Sequence, residues 1–351
     1  MMSTTKLFLI SLLFVSSFSF KPIKYYHSSK VNKNSCNNNR YSFTIIDDTK
    51  SANAAESSIT KDGTKSASLI DISLRISPTF SHPKDIEVTR RLANIPFIQP
   101  IIRRFLYVAE SVYYTELLSS SVRVTEKQYP TLHKLIVDAS HSLKITVPDL
   151  FVVQNPIPNA YTLAIRGRKP FVVVHSSLLD LLTDNEVKAV LGHELGHLVF
   201  EHSIWVSTLN LLLLGADQFL PTSISNSLRT SLYEWLRAAE LSCDRAALLA
   251  TKDINVVISM MIKLSGGYKN IEGTVDVNEF LKQAAQYEEE RKKNTMIRRL
   301  LLGSLDQTRT HPVPVKRAKE LYDWANSAQY AGLLARKEIY LMWVYVHDKC
   351  D

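Results

Sequence analysis

The chain has 351 residues, of which 45% are hydrophobic and 22% charged, a balance that excludes disorder throughout and leaves room for a sizeable core. Its three cysteines, Cys36, Cys243 and Cys350, are odd in number and far apart, which excludes a disulfide framework and a paired-cysteine zinc module. The formal net charge is +8, but residues 1–46 hold six basic side chains and no acid, so the remainder stands near an ordinary +2 and gives no ground for a nucleic-acid partner.

Met1 to Lys6 is short, polar and singly charged, and Leu7 to Phe20 is an apolar run that ends at Lys21-Pro22. Residues 1–20 therefore have the anatomy of a signal peptide, too short to span a bilayer comfortably. Residues 21–70 are rich in Ser, Asn, Lys and Thr, lack acids until Asp47 and show no apolar periodicity, as transit peptides do. Together the two segments resemble the bipartite presequence of algae whose plastids lie inside extra membranes, with Phe20 following the cut. Plastid delivery is the expectation, and a secreted or endomembrane-lumen protein with a disordered pro-segment is the alternative. No Asn-x-Ser/Thr sequon follows, in keeping with a protein that leaves the secretory pathway.

From about Asp71 the apolar density rises and no long linker interrupts it, which predicts one compact domain. Ile101 to Leu118 and Lys127 to Leu143 place apolar residues at three-and-four spacing and predict helices. Leu150 to Gln154, Ala160 to Ile165 and Phe171 to His175 are short β-branched or aromatic runs bounded by turn residues, and predict a small antiparallel sheet. After His175 the pattern is helical over Leu178 to Leu182, Asp184 to Phe200, Trp205 to Leu214, Ser227 to Ala250, Ile254 to Leu264, Val277 to Glu289 and Pro314 to Trp324. The fold class is α+β, predominantly α-helical.

The chemistry concentrates in His193-Glu194-Leu-Gly-His197. Thr183 and Glu186 form a capping box at the start of this segment, so His-Glu-x-x-His sits on a helix. Imidazoles four residues apart rise from one face and can share a metal ion, while Glu194, about 100° round the helix, can reach a water beside that ion. A hydrolytic zinc site needs a third protein ligand. Arg237 to Ala247 offers Glu240 as that ligand, with Asp244 one turn on to accept from a ligating histidine, among alanines that let two helices pack closely. The alternative is an exposed charged turn of an amphipathic helix.

Taken with Pro158-Asn159-Ala160-Tyr161 in a strand and Thr310-His311-Pro312 followed by Arg317, these blocks resemble the M48 family of zinc metallopeptidases. That family includes a bacterial heat-shock membrane protease and the CAAX prenyl protease, and the chain looks most like its soluble plastid members from plants and algae. The resemblance covers about Leu150 to Trp324. It implies a zincin-like domain with an active-site helix, an N-terminal helical region at 71–149, a metallopeptidase core at 150–325 and a helical tail at 326–351. It further implies one Zn²⁺ per chain held by His193, His197 and Glu240, with Glu194 as general base and Asp244 behind the ligands. His311 would stabilise the oxyanion, and Asn159, Ala160 and Tyr161 would form the rim that pairs with substrate backbone. The expected activity is metalloendopeptidase cleavage of protein or peptide substrates by a zinc-activated water, with broad specificity from strand addition to the sheet edge. A zinc-bound scaffold or chaperone without turnover is the alternative, and the presence of Glu194 favours the enzyme.

Ile204 to Leu220 is apolar, but Asn210, Asp217 and Gln218 interrupt it, so no integral span is expected. It reads as a buried helix or as a hairpin lying on a membrane or lipid monolayer, the latter allowing a lipid-surface adaptor. His202 falls off the register joining His193 to His197 and is expected to face elsewhere. His175 and Cys243 are expected to be structural. Glu288 to Lys293 and Arg298-Arg299 form a mixed-sign, solvated face with no stacking aromatics, and no nucleic-acid contact is expected.

Overall fold

The computed structural model describes residues 80–93, 104, 111–163, 169–266, 276–292 and 313–335. The presequence, His311, Cys36, Cys350, Arg298-Arg299 and the end of the C-terminal tail lie outside the described residues. In chain order the elements are α1 (Pro83–Ala93), a helical segment at 111–120, β1 (Val122–Arg123), α2 (Pro130–Leu143), β2 (Asp149–Val153), β3 (Ala160–Leu163), β4 (Phe171–His175), α3 (Ser176–Leu181), α4 (Asp184–Val199), α5 (His202–Phe219), α6 (Thr222–Thr251), α7 (Ile254–Gly266), α8 (Val277–Lys292), α9 (Pro314–Ala325) and α10 (Ala328–Ala335). Each apolar run predicted as helical after His175 lies on a helix. α5 and α6 extend well past their apolar patterns because their added turns are polar and carry no period.

The sheet has the order β1-β2-β4-β3 and is mixed. β1 is antiparallel to β2, β4 is antiparallel to β3, and β2 runs parallel to β4 with Leu150 opposite Val172 and Val152 opposite Val174. This corrects the all-antiparallel expectation. Alternation fixes which residues share a face but not strand order or direction. β4 takes the centre because Phe171, Val172, Val173 and Val174 are all buried, and only a strand covered on both faces buries a run without polar alternation.

Leu150, Val152, Ala160, Val172 and Val174 pack into the main core with α2, α4, α6, α7 and α9. The other face, Phe151, Tyr161, Leu163, Phe171 and Val173, is covered by Leu117, Tyr113 and Tyr114 of the 111–120 segment. Asp149, buried where β2 begins, accepts from Tyr114 Oη, Arg123 and Lys169. β3 ends the sheet and lies beside α4.

α4 is the central helix, buried at every position from Ala189 to Val199. The predicted capping box starts it: Thr183 N–H donates to Glu186 Oε2 at 2.8 Å, and Glu186 N–H reaches Thr183 Oγ1 at 3.5 Å. Ser259 and Lys263 of α7 also donate to Glu186. α4 packs on α6 through glycines. A Cβ on Gly192 would stand 2.7 Å from Ala250 Cβ and 3.1 Å from Ala247 Cα, and one on Gly196 would stand 3.0 Å from Ala246 Cβ and from Cys243 Cα. The helices therefore approach to within backbone contact, which the alanines of α6 had suggested.

α5 is a packing helix. Ile204 is buried, and Trp205, Val206 and Leu213 join Leu232, Trp235, Leu236 and Ala239 of α6 and Leu92 of α1 in a second core. Among the described residues no helix is long and apolar enough to cross a membrane. One group of exposed apolar side chains lies at the α5–α6 corner: Phe219 is 83% exposed, and Leu220, Ile224 and Leu228 are exposed beside it in sequence.

Candidate metal centre

The close α4–α6 seam brings His193, Glu194 and His197 against Glu240 and Asp244, and all five side chains are buried. His193 Nε2 lies 3.6 Å from Glu240 Oε2, and His197 Nε2 lies 3.6 Å from Glu240 Oε1. These separations exceed hydrogen-bond length. They suit donors around one centre, since two ligands on a tetrahedral zinc stand about 3.3–3.6 Å apart. The two imidazoles meet edge to face with centroids 5.0 Å apart. Glu194 is buried, and among the described residues no hydrogen-bond partner reaches its Oε2.

Each imidazole is engaged at its other nitrogen. His193 Nδ1 meets Asp244 Oδ1 at 3.1 Å, as a donor from nitrogen to carboxylate. His197 Nδ1 meets His202 Nδ1 at 2.9 Å, and His202 Nε2 meets Asp85 Oδ2 at 3.2 Å. The structure thus corrects the expectation that His202 faces elsewhere. In a continuous helix His202 would lie about 140° from His197. α4 instead ends at Val199, Glu201 takes a left-handed conformation with φ 52°, and the new helix starts with His202 turned back onto the site.

Arg317, on the first turn of α9, is 2% exposed. Its Nε donates to Asp244 Oδ2 at 2.8 Å and its Nη2 to Asp244 Oδ1 at 2.6 Å, while Nη1 stands 3.2 Å from Glu240 Oε2. A bidentate arginine is the group that lets two carboxylates lie buried side by side. Burial opposes ionisation of Asp244, but Arg317 and the His193 contact draw its carboxyl down to about 2. Glu194 goes the other way: burial first, then the charge of Glu240, push its carboxyl well above the ordinary range, and Arg317 offsets only part. Burial also works against the charge of Asp85, yet His202, Ser242 and Trp235 hold it below its ordinary value.

A second donor set includes the thiol, because one ligand atom from each of His193, His197 and Cys243 lies within 4.8 Å of the others. Glu240 fits better. Cys243 Sγ sits 3.6 Å from His202 Nδ1, the atom that meets His197 Nδ1, so the thiol stands on the occupied side of that imidazole. Glu240 faces the Nε2 atoms of both histidines at once. The thiol is pushed well above its ordinary value, by burial and then by Glu240, Asp85, Asp244 and Glu194, and it packs against Gly196.

Of the strand residues, Ala160 pairs with Val174 and Tyr161 with Val173 on the inner edge of β3, and Asn159 C=O accepts from His175 N–H at 2.9 Å. The Tyr161 ring is buried on the face away from α4, where its hydroxyl bonds Tyr113, so its side chain is not available to the site. His175 is structural, as expected: its Nδ1 bonds Ile157 C=O at 2.8 Å and pins the turn before β3. Asp85 and the pairing of Arg317 went unread in the sequence, and His202 was read as facing elsewhere. Arg317 carried a signal, its place after Thr310-His311-Pro312, whereas Asp85 carried none.

The comparisons follow the same blocks. Residues 126–325 match the sequence profile of peptidase family M48. Over 260 residues, 73% of this chain and 75% of the other, the chain is 42% identical to the plastoglobule-localized metallopeptidase 48, chloroplastic, of Arabidopsis thaliana. It is 29% identical over 103 residues to a protease HtpX homolog of Lactobacillus acidophilus and 33% identical over 94 residues to one of Thermoplasma acidophilum. Those stretches cover 29% and 26% of this chain, and only 34% and 28% of the two relatives. No solved structure matches. The seam of α4 and α6 and its buried carboxylates thus lie within the matched residues, and the chain belongs to peptidase family M48, the zinc metallopeptidases.

Proposed function

We propose that this chain is a zinc-dependent endopeptidase in which His193, His197 and Glu240 hold one ion and Glu194 is the general base. The observation that carries the reading is the placing of both Nε2 atoms 3.6 Å from separate oxygens of Glu240, one residue from an enclosed carboxylate. Zinc bound there supplies Lewis acidity that brings a water toward ionisation near neutral pH. Asp244 and Arg317 keep the His193 proton on Nδ1, which leaves the Nε2 lone pair for the ion. Glu194 accepts the water proton as oxygen bonds to the peptide carbonyl carbon, then passes it to the amine as the carbon–nitrogen bond breaks. His311, outside the described residues, is assigned as donor to the oxyanion. An extended substrate would add as a strand along β3 beside α4, at Asn159, Ala160 and Tyr161, with Ala160 offering the main-chain groups that point away from β4.

The test is zinc content and chelator-sensitive hydrolysis of casein, beside Glu194→Gln. One zinc per chain in both proteins, with cleavage lost in the variant, is the expected result. Zinc in both with cleavage in neither would transfer the reading to a scaffold.

We further assign the protein to the plastid and to a lipid surface there. The 42% identical relative is named as chloroplastic and plastoglobule-localized, and the presequence, without acids up to residue 46, agrees. The exposed Phe219, Leu220, Ile224 and Leu228 favour the surface contact, and they centre it on the α5–α6 corner, at the end of the Ile204 to Leu220 run, whose first residues Ile204 to Thr208 are buried. Flotation with lipid vesicles checks this: binding should survive Glu194→Gln and fall with Phe219→Ser plus Leu228→Ser.

A further inference from the structure

His193 and His197 are oriented by unlike means. Behind His193 stands a carboxylate of α6, the helix it packs on. Behind His197 stands another histidine, and behind that Asp85 of α1, which precedes the family-matched residues 126–325. Asp85 is tied to the core from several sides. Trp235 Nε1–H donates to its Oδ1 at 3.0 Å, Ser242 Oγ–H to its Oδ2 at 2.6 Å, and Thr89 Oγ1 lies 3.3 Å from Oδ1. His82 N–H donates to Ser242 Oγ, and Arg245 Nη1 donates to the carbonyls of Phe80 and Ser81, so the segment carrying Asp85 is fastened to α6.

Donor and acceptor rules then place the protons. A carboxylate only accepts, so the proton shared by Asp85 and His202 belongs to His202 Nε2. The Nδ1 of a neutral His202 carries a lone pair and must accept, so the proton between the two imidazoles belongs to His197 Nδ1. Cys243 Sγ, 3.6 Å from the same His202 Nδ1, is a weak donor and agrees with that acceptor. The proton on Nδ1 leaves the His197 Nε2 lone pair directed at Glu240.

We propose that Asp85, acting through His202, sets the tautomer and orientation of His197, so that the metal centre depends on a carboxylate outside the matched family region. Both are positioning residues, and the proposal rests on the zinc reading above.

The test uses the full chain labelled with ¹⁵N at histidine. Imidazole ¹⁵N spectra of the zinc-free protein read which nitrogen of His197 holds the proton, competition with a chromophoric chelator reads zinc affinity, and a thermal melt reads stability. Asp85→Asn can turn an amide N–H toward His202 and reverse the relay. It should move the His197 proton to Nε2 and weaken zinc binding by about 10–100-fold. Trp235→Phe removes another donor from the same carboxylate and keeps an aromatic ring edge-to-face with His202; it should lower the melting temperature while zinc affinity stays within about twofold. Asp85→Asn with unchanged tautomer and affinity overturns the proposal, as does a loss in Trp235→Phe equal to that in Asp85→Asn. Should Asp85→Asn not fold, the wild-type spectrum decides, because a proton on Nε2 of His197 is incompatible with the relay. Wild-type protein that binds no zinc would instead overturn the zinc reading, and the tautomer measurement, which needs no zinc, would still judge the relay.

Discussion

The two halves of α6 are one continuous helix with opposite fates. From Ala238 to Ala250 it is buried almost throughout, carries Glu240 and Asp244, and touches α4 through Cys243, Ala246, Ala247 and Ala250. From Thr222 to Thr230 it is largely exposed, and Ile224 and Leu228 stay in solvent although they are more apolar than alanine. Side-chain hydrophobicity therefore did not decide which half is core. Closeness of approach did: small residues facing Gly192 and Gly196 let two backbones meet, and of the polar groups enclosed there Asp244 pairs with Arg317 and His193 while the two Nε2 atoms and Glu240 face one centre.

The hardest blow to that contrast is Arg317→Met. It leaves Asp244 and Glu240 buried without their cation, and should cost about 3–5 kcal/mol in urea denaturation of the zinc-free protein. Added zinc should recover part of the loss if Glu240 is a ligand; an equal loss with and without zinc would argue against that role. Next comes the seam itself. Gly192→Ala puts a methyl 2.7 Å from Ala250 Cβ and should cost about 1–3 kcal/mol despite the better helix propensity of alanine. Pairing it with Ala250→Gly should restore part of that stability, and strict additivity of the two would mean that the contact is not the cause.

A smaller effect tests how α4 is started. Lys263, Ser259 and Thr183 draw the Glu186 carboxyl below its ordinary value against the opposing effect of burial. A carboxyl lowered on folding contributes stability that is complete above its unfolded value and fades as pH falls through the folded one. Glu186→Gln should thus lose about 1–2 kcal/mol at pH 7, and its acid unfolding profile should be flatter than wild type below the ordinary carboxylate value. Parallel profiles would place the acid sensitivity elsewhere. At the far end of α6, Phe219→Ser should change stability by less than about 0.5 kcal/mol, measured by thermal melting. A larger loss would show that the exposed corner is packed after all.

Much of this was legible in advance, element by element. The helix of His193 and His197 was legible in its periodicity and capping box, and the spacing of Glu240 and Asp244 among alanines offered their juxtaposition with it beside the alternative of an exposed charged turn. β4 was found because its run is β-branched, but its parallel pairing with β2 was not. His202 was misplaced because a left-handed Glu201 between two helices leaves no mark in periodicity.

What the sequence by itself determined, then, is whatever depends on neighbours along the chain: element type, the shared face of two histidines four apart, and the family blocks. Only the tertiary structure decided the direction of β2 against β4, the return of His202 onto His197, the bidentate clasp of Arg317 on Asp244, and the reach of Asp85 into the centre. The last two join residues 73 and 117 positions apart. Local pattern carries no information about such separations, because hydrogen-bond complementarity between distant groups exists only once the backbone has brought them together.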